Sequence, residues 1–360
     1  TNLPRIDYTG GEGHWLFEPQ STNLVTYSED FTNAAWSKIN SSITSNITTS
    51  PNGTNNASKL VEDTSNSTHF VFLYSQLQVN SYSVFAKKGE KKWIFITSHT
   101  TSSPTARGQF FDLENGIVGN GGTANGKIED YGNGWYRCST EANSASSLFT
   151  VMLAEGDGVY SYQGNGTDGV YIYGAQNTDT NLSSYIPTNG STVTRLADAA
   201  NGAGSSDLIN STEGVLYAEI AALANDGSNR IITLSNGSYD NSVRIQFYSN
   251  TNEIEMRIVV QGVIQAIQRV AIANTLLFNK MAVKYKENDF QLWVNGSVLR
   301  FDTSGTVPAS GTLSELSFDD GNGDGDFYGK VKTVAVFKEA LTNDELECLT
   351  GEGYESFNAL

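Results

Sequence analysis

The feature that most constrains this chain is its punctuation. Short β-branched and aromatic runs recur along it, among them Tyr82–Ala86, Lys92–Ile96, Gln109–Asp112, Trp135–Cys138, Phe149–Leu153 and Gly169–Tyr173. Asn-Gly, Gly-Asn and Ser-Gly pairs separate them, the chemistry of tight turns between strands. In 243–248, 254–258 and 281–286 apolar and polar residues alternate, so each run has one face for a core and one for another surface. Helical periodicity is nearly absent. The exception is Thr342-Asn343-Asp344-Glu345, a capping box with Leu341 placed to staple against Leu346, which predicts one short helix ending by Gly351. The expected fold class is all-β, with two tandem antiparallel β-sandwiches, a short N-terminal arm and one short C-terminal helix.

Length and texture fit this. A chain of 360 residues buries sizeable cores without disulfides, and its two cysteines, Cys138 and Cys348, make no framework. Aromatic residues at 11% separate it from disordered chains. The small, polar stretch 188–211 marks a break. The expected division is an arm at 1–24, a first β domain at 25–195, a linker at 196–211 and a second β domain at 212–360. Val331–Phe337, apolar on both faces, reads as a central strand, and Ser41–Ser58 as a polar excursion. The chain opens at Thr1 rather than Met, which reads as a processed product or part of a longer chain.

Charge narrows the partners. Lys and Arg total 22 against 39 Asp and Glu, a formal net charge of −17. Nucleic acid and anionic membranes need clustered cations, so neither is expected as a partner. No apolar stretch is long enough for a membrane-spanning helix. The one basic cluster, Lys87–Lys92, reads as a solvated hairpin end or, less simply, an anionic-glycan site. His14, His69 and His99 stand in unrelated contexts, which argues against a His-based metal site or triad. No nucleophile elbow, Walker loop or spaced carboxylate pair appears, so no catalytic residue is assigned. Several Asn-x-Ser/Thr sequons, such as those at Asn46 and Asn66, arise readily from this composition.

Longer strings add a resemblance. FNKMAVKYKENDFQLWVNGSVL at 278–299 and FYGKVKTVAVFKEALTNDELECL at 327–349 resemble the paired strands, closing strand and capped helix of laminin-G-like, concanavalin A-like lectin domains. LFEPQSTNLVTYSEDFTNAAWSK, SVFAKKGEKKWIFI, GKIEDYGNGWYRCS and YIYGAQ, within 14–187, resemble a jelly-roll carbohydrate-binding module of phage tail and virion fibre proteins. The resemblance implies a non-catalytic adhesin on the virion surface, outside the cell. It would bind a host-surface glycan or polysaccharide, sit beside other virion proteins and form a homo-oligomer, with a trimer favoured. A purely structural virion protein and a polysaccharide depolymerase are the alternatives.

Sugar-binding sandwiches use aromatic faces beside amides and carboxylates, and this pattern selects Trp36, Trp93, Trp135, Tyr160, Tyr162 and Trp293 as candidate ligand-binding residues. Trp293 shares a strand face with Gln291 and Asn295, so it is either a platform or covered by a neighbour. Trp135 follows the Gly132-Asn133-Gly134 turn, a corner where a sandwich core often starts. The run 319–326 supplies a candidate cation loop. Asp320, Asn322 and Asp324 stand at alternating positions before Gly325, as in a calcium loop, with Asp326 beyond. Val331 occupies the twelfth position, where such loops carry an acid, and Asp/Gly/Asn runs are also ordinary turn chemistry. Calcium is thus the one cofactor expectation, set against a plain turn.

Overall fold

In a computed structural model the described residues are 5–8, 11–98, 108–122, 126–178 and 182–351, without the side chains of 75–80 and 142–147. His99 lies outside them. The chain divides into two compact units, Gln20–Leu196 and a discontinuous unit of Thr1–Pro19 with Ala197–Leu360. Both are antiparallel β-sandwiches, and the short helix near the C-terminus is Asn343–Thr350.

In Gln20–Leu196, two long strands, Phe70–Lys88 and Trp135–Ala154, run antiparallel through both layers. Their register shifts between Glu141 and Leu148, and the two halves of the ribbon take different neighbours. One half joins Gly169–Thr178, Ala57–Glu62 and Ser41–Thr48, with Lys127–Asp130 at the other side. The other half joins Trp36–Ile39, Trp93–Thr97, Gly108–Asp112 and Ile117–Gly121. Val84, Ala86, Cys138 and Ile172 from the first layer meet Val71, Phe149, Ile94 and Phe111 from the second in one buried cluster. The strand runs read from the sequence coincide with observed strands, except that Lys92 precedes Trp93–Thr97 and Tyr248 follows Ser242–Phe247. Ser41–Thr48 is an edge strand, and its mostly exposed Ser and Thr side chains account for the polar reading.

In the other unit a seven-stranded sheet packs on a five-stranded one. The first has the order Arg5–Asp7, His14–Leu16, Gly329–Phe337, Glu213–Ala222, Asn279–Lys286, Phe290–Val294, Ser297–Asp302. The second runs Val263–Ala271, Glu253–Val260, Ser242–Phe247, Arg230–Ser235, Glu315–Ser317. Leu216, Ile245, Met256, Val283 and Leu292 are among the side chains buried between them. Gly329–Phe337 lies inside its sheet, as its two apolar faces require. The helix starts as the sequence dictates, with Thr342 Oγ1 accepting from the Glu345 N–H and the Glu345 carboxylate accepting from the Thr342 N–H. It lays Leu346 and Leu349 on the outer face of the seven-stranded sheet.

The domain boundaries differ from those expected at 1–24 and 196–211. Arg5–Asp7 and His14–Leu16 form the outermost two strands at one side of the seven-stranded sheet, and Phe17 enters its core, stacked on Phe318 at 4.8 Å. Residues after 196 also belong there. Ala203 bridges Leu316, Ile209 is buried, and Arg5 pairs with both Glu18 and Asp198. Three-residue strands carry no readable period, so local composition alone made these segments resemble an arm and a linker.

Candidate functional site

Most of the sequence-selected aromatics are structural. Trp36 is 1% exposed, packed between Phe31 and Phe149 at 4.9 and 5.9 Å, and its Nε1 donates to the Tyr27 carbonyl at 2.8 Å. Its neighbours in sequence look loop-like, yet it opens a strand paired with Phe70–Lys88. Trp293 lies under the helix against Leu346, Leu349 and Tyr217, with Nε1 donating to Gln291 Oε1 at 2.7 Å. Of the two alternatives for a Trp on a polar face, cover applies. Tyr162 is buried too: its hydroxyl donates to Glu62 at 2.8 Å and the Lys91 ammonium sits 4.6 Å from its ring. The platform reading of Trp36, Trp293 and Tyr162 therefore gives way to packing. Trp93 and Tyr160 are half-buried against a separate cluster of Phe95, Phe110 and Met152, where Tyr160 stacks 5.8 Å from Phe95.

Trp135 leads to a surface. Directly cross-strand residues share a sheet face, so the register sets Trp135, Lys87 and Tyr171 in one row and Arg137, Phe85 and Tyr173 in the next, opposite the core face that carries Val84 and Cys138. Over this outer face the turn after Thr48 and the turn before Trp135 enclose a groove of about 330 Å³ lined by Ser50, Pro51, Lys87, Tyr131, Asn133 and Trp135. Trp135 is itself buried and forms part of the wall. Its Nε1 donates to the Thr49 carbonyl at 3.0 Å, which ties the first turn to the sheet. In the second turn Gly132, Asn133 and Gly134 all have positive φ, a conformation that Gly and Asn tolerate best. Asp130 Oδ1 accepts from the Gly132 N–H at 2.7 Å and fixes that turn further.

Tyr131 stands at the groove with its side chain half in solvent, at 49% exposure, and its ring packed edge-to-face on Phe85 at 4.9 Å. Beneath lies a buried aromatic base of Phe85, Trp135 and Tyr173. The Tyr173 and Tyr185 hydroxyls both donate to Glu29 Oε1, at 2.7 and 3.3 Å. Burial first, then the Glu29 carboxylate, pushes the Tyr173 phenol above its ordinary value, so it stays a neutral donor. The groove thus combines a half-exposed aromatic ring, an ammonium, an amide and hydroxyls on a rigid base. Sequence reasoning selected Trp135 and passed over Tyr131. The available signal was a tyrosine immediately before a Gly-Asn-Gly turn, at a loop tip rather than within a strand.

The acidic run is a turn. Asp320 Oδ1 accepts from the N–H groups of Asn322 and Asp324 at 2.8 and 3.2 Å, and Asp319 Oδ1 accepts from Gly321 at 2.7 Å. Tyr328 donates to Asp326 Oδ2 at 2.7 Å, and Asn322 is exposed. Gly321, Gly323 and Gly325 take positive φ between these carboxylates. Among the described residues no three of His, Cys, Asp and Glu converge as a metal-ligand set. At Asp320, Asn322, Asp324 and Asp326 the structure shows the turn chemistry that was set against calcium. Beyond Lys87, the lysines of the basic cluster are paired: Lys88 and Lys92 each reach Glu114 at 2.9 Å and hold its carboxyl down to about 2, and Lys91 reaches Glu155 at 2.5 Å.

Comparison with known proteins gives no matching family model and no matching curated protein. Among solved structures, the chain is similar to the CBM40 of the Ruminococcus gnavus IT-sialidase bound to α2,3-sialyllactose, at 16% identity and a TM-score of 0.35, over 42% of this chain and 94% of that one. It is similar to sheep galectin-11 at 11% identity and 0.28, over 39% and 99%. It is also similar to mouse laminin α1 domains LG4-5 at 10% identity and 0.28, over 76% and 87%. With TM-scores this low, none of these likenesses bears on a ligand or a site.

Proposed function

We propose that this protein is a non-catalytic glycan-binding protein and that the Tyr131 groove holds the sugar. The observation that carries this reading is the half-exposed Tyr131 ring, fixed by Phe85 and flanked by Lys87 and Asn133. A pyranose presents a C–H face to an aromatic ring and hydroxyls to amides, ammonium groups and carbonyls, and the groove supplies that set. The sequence resemblance to phage fibre proteins supplies the wider role: a virion-surface adhesin whose weak sites are multiplied by oligomerisation. Avidity raises apparent affinity by about 10² to 10⁴ where the geometry fits.

A second reading, a purely structural virion protein, is favoured by one observation. The edge strands Val263–Ala271 and Ser297–Asp302 expose Val263, Ile264, Val298 and Phe301. A glycan array of bacterial surface polysaccharides, probed with the intact chain in multimerised form and with Tyr131→Ala, separates the two. Signal lost in the variant supports the groove. Wild-type silence across the array overturns the glycan reading in favour of the structural one.

A further inference from the structure

The five-stranded sheet carries an arrangement that its own fold does not explain. Val243, Ile245 and Phe247 point into the core, so Arg244 and Gln246 lie on the opposite face. There Arg244 is directly cross-strand from Arg257, and Gln246 from Glu255. Like charges directly opposed across a ladder are destabilising. Arg257 is neutralised, with Nε donating to Glu255 Oε1 at 2.8 Å and Nη1 to the Tyr239 hydroxyl at 2.9 Å. Glu255 is shared with Arg269, which pairs with its other oxygen. Two arginines therefore share this one carboxylate, and both of its oxygens are taken.

Arg244 is left over. It is 2% exposed, its Nε donates to Ser242 Oγ at 3.1 Å, its Nη2 reaches the Tyr239 carbonyl at 3.4 Å, and its guanidinium lies 4.0 Å from the Tyr239 ring. Those contacts are to neutral groups, and among the described residues no carboxylate is in salt-bridge range of Arg244. A buried guanidinium without an anion is costly, and proteins normally pair one. Arg244 lines a cavity of about 180 Å³ together with Asn229, Tyr239, Gln246, Arg257, Asp320 and Asp324. Asp320 lies close enough to influence Arg244, but its Oδ1 already accepts two turn N–H groups.

We propose that this cavity binds the carboxylate of an acidic sugar, with the Arg244 guanidinium as its anchor. The planar fork of arginine matches a carboxylate in two parallel hydrogen bonds, and a ligand anion there would neutralise Arg244, the member of the opposed pair that lacks a carboxylate. The other lining groups fix the remainder of the ligand. Asn229 and Gln246 amides donate to and accept from hydroxyls, and Asp320 and Asp324 accept from them while repelling a second anion. A bare inorganic anion uses only the arginine end. The site is on a different unit from the Tyr131 groove and stands on its own observations.

The test is an NMR titration of the full chain with glucuronate, glucose and sulfate, on the wild type and on Arg244→Lys, Arg244→Gln, Gln246→Met and Tyr131→Ala. Glucuronate should bind at least tenfold tighter than glucose and tighter than sulfate. Arg244→Lys, which keeps charge and stem, should weaken it about tenfold, and Gln246→Met several-fold, with Tyr131→Ala unchanged. Arg244→Gln should abolish binding; if that variant fails to fold, the lysine and Gln246 variants decide. Glucuronate no better than glucose overturns the proposal, as does unaltered binding in Arg244→Lys and Gln246→Met. Sulfate binding as tightly as glucuronate overturns the sugar-acid assignment. Loss in Tyr131→Ala alone would transfer the signal to the other groove.

Discussion

Replacing Trp36 by alanine separates a core tryptophan from a ligand platform. The indole is 1% exposed, touches Phe31 and Phe149, and donates its N–H to the Tyr27 carbonyl. Removing a fully buried Trp costs about 3–5 kcal/mol through lost transfer energy and the cavity left behind. The orphaned Tyr27 carbonyl accounts for about 1 kcal/mol of that if water cannot reach it. Against a domain stability of about 5–15 kcal/mol, the variant unit should still fold in the cold but with a much reduced margin. With a urea slope of about 2 kcal/mol per molar, the midpoint of the Gln20–Leu196 transition should fall by about 2 M. The assay is urea unfolding followed by fluorescence, paired with glycan binding at low temperature, where the variant remains folded. The expected pattern is a large fall in midpoint with binding retained. An unchanged midpoint with binding lost would refute the packing argument and return Trp36 to the ligand surface.

Two further outcomes follow from the other unit. Thr342→Ala removes the side chain that caps Asn343–Thr350 and should lower the stability of that unit by about 1 kcal/mol, read as a lower thermal midpoint with unchanged array binding. Asp319 is pushed above its ordinary value by burial first, with Asp320, Asp326 and Glu315 adding to it. A carboxyl whose folded pKa is raised holds its proton more tightly when folded, so its ionisation costs stability as pH rises through and above 3.8. Asp319→Asn keeps an oxygen acceptor for the Gly321 N–H, so it should raise the melting temperature at pH 7, and the gain should vanish below pH 3.8. A gain that persists unchanged in acid would contradict the charge argument.

The sandwiches were legible because alternation reports local burial. Val243–Phe247 and Met281–Lys286 each announce a core face, and the Thr342–Glu345 box announces the helix. What covers a face is a tertiary matter. Trp293 on a polar face leaves platform and cover both open until the helix is folded over it, although Leu346 and Leu349, spaced i and i+3, were there to cover something. Segment membership was hidden for the same reason: Phe17 stacks on Phe318, about three hundred residues away in sequence. Alternation also puts Arg244 and Arg257 off the core face, but only strand register brings them opposite one another. Tyr131 escaped notice because a site on a loop carries no period at all.

The central claim is that Tyr131 receives a sugar, and titration calorimetry with the strongest array oligosaccharide tests it most directly, on wild type, Tyr131→Ala and Tyr131→Phe. If the ring face carries binding, alanine should weaken it at least about tenfold, roughly 1.4 kcal/mol, while phenylalanine stays within about threefold of wild type. Wild-type affinity in the alanine variant would contradict the account.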